Sequence, residues 1–121
     1  MIFDTTALIQ TIRKGSEFEE GSISVITLIE FLRGIEDKEK RKKSISLIEE
    51  TFEILDVDKE VVLSYLDLFF ELKKKREMAS DGDALIAATA HAKNESVLTL
   101  DRDFLKFEPM IKVNLLQPSP R

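Results

Sequence analysis

Short apolar runs that each hand over to helically spaced apolar residues recur along this chain, and that alternation restricts the fold more than any other feature. "MIFD" ends its apolar run in an acid, and "TTALIQTIRKG" then repeats apolar residues at Ala7, Leu8 and Ile12 before Gly15 stops the helix. "GSISVITLIEFLRG" alternates at Ile23 and Val25, shifts to helical spacing through Ile26, Ile29 and Leu32, and stops at Gly34. A charged helix, "EDKEKRKKSISLIEE", leads to a third strand, "TFEILDV". From Asp58, placed as an N-cap, to Arg76 a helical stripe is formed by Val61, Val62, Tyr65, Leu66, Phe69, Phe70 and Leu72. The Ala-rich helix in "SDGDALIAATAHAKNE" feeds the strand "SVLTLD", a short helical turn "RDFLKF", the last strand "IKVNLL" and a frayed tail, "QPSPR".

Strands alternating with helices imply parallel strands joined by right-handed crossovers. The expected fold class is α/β: a three-layer sandwich with a mostly parallel central sheet flanked by helices. A chain of 121 residues suits one domain, 1–121, with a short flexible C-terminal tail.

Composition narrows the chemistry. The absence of cysteine excludes disulfides and thiolate zinc sites, and the single histidine, His91, excludes a His-rich metal centre. Neither a signal pattern nor an apolar run of about 18 residues is present, so no membrane span is expected and the expected location is cytoplasmic. A net charge of −5 argues against a broad basic nucleic-acid surface, not against an acidic site with local Lys and Arg.

In a parallel α/β sheet the carboxyl ends of strands and the N-termini of the following helices share one edge, where ligands bind. Asp4 and Asp101 end the first and fourth strands, Glu30 lies a turn into the helix after the second, and Asp83 lies in the first turn of the Ala-rich helix. Singly, each acid also suits a helix start, and Ser80 with Asp83 resembles a capping box. Together they would repel one another and raise their own pKa values unless a cation neutralised them. Oxygen-only ligands point to Mg²⁺ or Mn²⁺, and the matching chemistry is metal-assisted hydrolysis of a phosphodiester. Thr6 and Thr99 stand where a hydroxyl either orients a carboxylate or merely ends a strand or starts a helix. Asp81 is a cap or a further member of the site, and Asp103 holds the loop or shares the metal.

"MIFDTTALI", "ITLIEFLRG", "DALIAATA" and "VLTLDRDF", in that order, resemble the PIN domain, and among PIN domains the VapC-type toxins of toxin–antitoxin pairs. The resemblance spans essentially the whole chain and places the family's acidic quartet on Asp4, Glu30, Asp83 and Asp101. It implies a Mg²⁺- or Mn²⁺-dependent endoribonuclease, a homodimer, and a cognate VapB-type antitoxin. Leu100 stands where many relatives carry Arg, leaving Arg33 and Arg102 as candidates for the charge beside the substrate phosphate.

Three further features have ordinary readings. Lys38 to Lys43 reads as a solvated helix face, Lys73 to Glu77 as either surface charge or a guide for RNA, and His91 as a structural histidine about 12 Å beyond Asp83. The apolar band Leu63, Tyr65, Leu66, Phe69 and Phe70 is too wide to hide entirely on a surface helix: core packing is expected to take up most of it, and the excess suggests a dimer or antitoxin contact. Two competing functions are a catalytically silent PIN-like interaction module and a receiver-like phosphoacceptor using Asp56.

Overall fold

The computed structural model describes residues 1–14 and 20–118. The expected helix stop at Gly15 and the end of the expected tail lie outside those residues. Five strands, β1 (Ile2–Phe3), β2 (Gly21–Ser24), β3 (Phe52–Leu55), β4 (Val97–Thr99) and β5 (Val113–Leu115), form one sheet in the order β3-β2-β1-β4-β5. Every pairing in it is parallel. The helices are α1 (Thr5–Lys14), α2 (Val25–Arg33), α3 (Lys38–Thr51), α4 (Lys59–Lys74) and α5 (Asp81–Ala92), with a 3₁₀ helix at Arg102–Phe107. No helix among the described residues is long and apolar enough to cross a membrane.

Successive side chains of a strand point to opposite faces, and β1 shows what that does. Ile2 joins a core with Val61, Leu68 and Leu72 of α4, the alanines of α5, and Phe104 and Phe107. Phe3 faces the other way, into a core with Ala7 and Leu8 of α1, Ile48 of α3 and Phe52. Two helical layers therefore close on one parallel sheet, as the alternation implied.

Two local expectations are corrected. Val25 opens α2 rather than extending β2, because the Ser24 side chain accepts the Ile26 N–H and ends the strand as an N-cap. The face of α4 that is buried runs through Val61, Ser64, Leu68 and Leu72, at spacings of three and four residues. Leu63, Leu66, Phe69 and Phe70 instead remain exposed, Leu63 by 54% and Phe70 by 53%. Ser64 takes a core-facing position because its hydroxyl meets His91 Nδ1 of α5 at 3.0 Å, which also accounts for that histidine structurally.

The sheet order also bears on the receiver reading. Asp56 follows β3, which is the edge strand, so Asp56 stands exposed at the rim rather than between flanking strands.

Candidate active site

From β1 the strands are laid down outward through β2 to β3, and β4 then appears on the other side of β1. The order reverses between β1 and β4, and at such a switch point the diverging connections leave a crevice beyond the strand ends. Asp4 and Asp101 follow those two strands.

Asp4 is 3% exposed. Its Oδ1 accepts the Ala7 N–H at 2.9 Å and the Thr6 hydroxyl at 2.7 Å, and its Oδ2 accepts the Thr99 hydroxyl at 2.5 Å. The same hydroxyls accept from the backbone that follows β4, Thr6 Oγ1 from Leu100 N–H at 3.0 Å and Thr99 Oγ1 from Asp101 N–H at 2.9 Å. Asp4 thus caps α1 and is locked to the end of β4 at once. Burial pushes its pKa above the usual carboxylate value, hydrogen bonds from Thr99, Ala7 and Thr6 hold it down, and Asp101 adds a further upward push.

Glu30 reaches across from α2. Thr5, the residue after Asp4, donates its hydroxyl to Glu30 Oε1 at 2.6 Å. Glu30 Oε2 lies only 2.8 Å from where a Cβ on Gly82 would stand, so the absent side chain in the first turn of α5 is what admits the carboxylate. Asp83, one residue on, has its N–H capped by the Ser80 hydroxyl at 3.2 Å. Its pKa is raised, first by partial burial and then by the charges of Glu30, Asp101 and Asp4, against a lowering hydrogen bond from Ser80. Asp101 is exposed and its Oδ1 caps the 3₁₀ helix by accepting the Asp103 N–H at 2.9 Å.

The extra acids have partners of their own. Asp81 Oδ1 accepts the Tyr65 hydroxyl at 2.7 Å, which raises the tyrosine's pKa. Asp103 Oδ2 pairs with Lys106 Nζ at 2.7 Å. Lys106, whose side chain is 11% exposed, also donates to the Met78 carbonyl and so joins the loop before α5 to the arm carrying Asp101. Lys75, from the basic run after α4, is held by the Glu108 carbonyl at 3.0 Å. Arg33 and Arg102 are exposed, and neither is ion-paired to a described residue. Thr5, Gly82 and Lys106 were not singled out from the sequence. Only Thr5 carried a signal, its place beside Asp4 at the strand–helix junction.

Four carboxylates from separate elements are thus close enough for three of them to act on the fourth. Among the described residues, no three acidic or histidine side chains are gathered tightly enough to hold an ion as they stand. The electrostatic coupling is the more telling observation, because like charges spread apart and flexible carboxylates move inward once a cation offsets their repulsion. The donor set is all oxygen, with one member buried and prealigned, and it fits a hard divalent ion.

Residues 1–108 match the PIN domain model. The chain is 34% identical to Ribonuclease VapC1 of Methanocaldococcus jannaschii, over 84% of this chain and 76% of the relative. It is 32% identical to Ribonuclease VapC1 of Rickettsia felis, over 89% and 90%. Among solved structures, VapBC2 from Rickettsia felis bound to a promoter DNA fragment shares the fold with a TM-score of 0.81 at 23% identity, covering 97% of this chain and all of that one. With a parallel sheet in this order, acids at its switch point and a family match over residues 1–108, the chain belongs to the PIN-domain family.

Proposed function

We propose that this chain is a divalent-metal-dependent endoribonuclease, the toxin of a toxin–antitoxin pair, hydrolysing RNA phosphodiester bonds at Asp4, Glu30, Asp83 and Asp101. The observation that carries the reading is the convergence at Asp83, whose carboxyl is pushed up first by partial burial and then by the charges of all three other acids. A fold gains nothing from that repulsion, whereas a cation site requires it. The two VapC1 ribonucleases are similar over most of their length and supply the reaction class.

In this reading Asp4, Asp83 and Asp101, with Glu30, would hold Mg²⁺ or Mn²⁺. When bound, the ion supplies Lewis-acid polarisation of the phosphoryl oxygen and acidifies an attacking water. The protein's own contribution is alignment. Thr6, Thr99 and the Ala7 N–H fix both oxygens of Asp4, so that this ligand does not have to be ordered during the reaction. Thr5, the residue next to Asp4, holds Glu30. Arg33 and Arg102 are exposed and would supply positive charge to the substrate phosphate. The exposed face of α4 offers apolar surface to a second copy of the chain or to a VapB-type antitoxin.

The test is cleavage of end-labelled structured RNAs by the purified chain freed of antitoxin, in Mg²⁺ or Mn²⁺, beside EDTA and Asp83→Asn controls. Metal-dependent cuts absent from both controls are expected. Cuts that persist with Asp83→Asn would place the activity elsewhere.

A further inference from the structure

Beside the acidic site a groove of about 540 Å³ runs along α1, within the range of ligand-holding clefts. It begins at Thr6, the residue whose hydroxyl holds Asp4 Oδ1, and passes Ile9, Leu100 and Pro118 to Arg13 and Lys14 in the last turn of the helix. Its far bank is the chain after β5, tied to α1 by Gln10 Nε2 donating to the Gln117 carbonyl at 2.9 Å. Although the chain as a whole is acidic, no described lining residue is, and both cations are exposed and unpaired to any described residue.

We propose that this groove is a single-strand RNA subsite, taking the nucleotides next to the scissile phosphate with an apolar wall for a base and Arg13 and Lys14 for phosphates. The inference rests on the nuclease reading. The lining matches an unpaired nucleotide in both of its chemistries, apolar along Ile9, Leu100 and Pro118 and cationic at the exposed end. From Thr6 to Arg13 the helix rises about 10 Å at 1.5 Å per residue, so the cations meet the backbone beyond the reacting phosphate rather than at it. Continuity fixes the occupant. A strand reacting at the acidic site passes the exposed Thr6, which belongs to both the hydrogen-bond set of the buried Asp4 and the groove wall. An RNA duplex is the wrong shape for a cleft walled on both sides, whereas unpaired nucleotides can splay into it.

The experiment measures binding apart from cleavage. In an Asp83→Asn background, the anisotropy of a fluorescein-labelled oligouridylate of roughly 12 nucleotides, a usual single-strand site length, is followed as salt rises. Arg13→Gln with Lys14→Gln removes two phosphate contacts, which should lower the slope of log affinity against log salt by about 1.4. Between about 50 and 200 mM salt the parent should lose about sevenfold more affinity than the double variant. In the otherwise native chain the same pair should raise KM and leave kcat unchanged, with Arg13→Lys retaining most of the affinity. Unchanged slope and affinity in a double variant whose parent binds RNA would overturn the subsite and leave the groove to a protein segment. A parent that neither binds this RNA nor cleaves any RNA in Mn²⁺ would overturn the nuclease reading as well, so the two failures are distinct.

Discussion

Gly82→Ala should separate activity from stability. An ideal Cβ at position 82 would stand 2.8 Å from Glu30 Oε2 and 3.9 Å from Ile26 Cγ2. The second distance is ordinary contact; the first is too short, and the group that must yield is the end of a flexible side chain. Ala is favoured over Gly within a helix by about 1 kcal/mol, and a position one residue inside the start of α5 realises roughly half of that. Against this stands the bond from Thr5 to Glu30, about 1 kcal/mol net for a half-exposed pair. The two nearly cancel, so Tm should move by no more than about 4 °C for a chain of this size. Cleavage should fall far more, about 100-fold, because a displacement near 1 Å in a positioned group costs on that order. Thermal melts beside cleavage rates in Mn²⁺ read both quantities. Full activity with Gly82→Ala would refute the claim that Glu30 acts from its place against α5, and a collapse of Tm would refute the claim that its carboxylate can yield.

Thr27→Val should stabilise the fold by about 1 kcal/mol, seen in denaturant unfolding, since the fully buried Thr27 Oγ1 has no partner among the described residues and Val matches its shape. Lys106→Met should destabilise by about 1–3 kcal/mol, because the Met78 carbonyl and Asp103 lose their shared donor, and should weaken Mn²⁺ binding by loosening the arms that carry Asp83 and Asp101. Asp83→Asn should raise Tm at neutral pH while abolishing cleavage. The folded state raises this group's pKa, so its ionised form opposes folding above the unfolded value of 3.8, and the advantage of Asn should fade as pH falls through the raised folded value towards 3.8.

What was legible in the sequence is whatever depends on local period and on strand ends. Asp4 and Asp101 could be placed because a strand's terminus fixes an edge of the sheet, and all strands proved parallel. The inward face of α4 was misjudged because Val62, Leu66, Phe69 and Phe70 are as apolar as the residues it buries, and only packing against α5 makes Ser64 a core position. The supports of Glu30 were hidden for another reason. Thr5 and Gly82 lie 25 and 52 positions away from it, and no spacing rule links a hydroxyl on α1, a carboxylate on α2 and a missing side chain on α5. Lys106 was hidden likewise, its cation being joined to a carbonyl 28 positions earlier. The partners of Asp81 and Asp103, Tyr65 and Lys106, are equally features of tertiary contact.

Calorimetric titration of Mn²⁺ into the purified chain and its single amide variants bears most directly on whether these acids make one metal centre. The native chain should bind, Asp4→Asn, Asp83→Asn and Asp101→Asn should each lose at least about tenfold in affinity, and Asp81→Asn, whose carboxylate is engaged by Tyr65, should stay close to native. Equal affinity across the native chain and the three weakened variants would contradict a shared centre at the β1–β4 switch point.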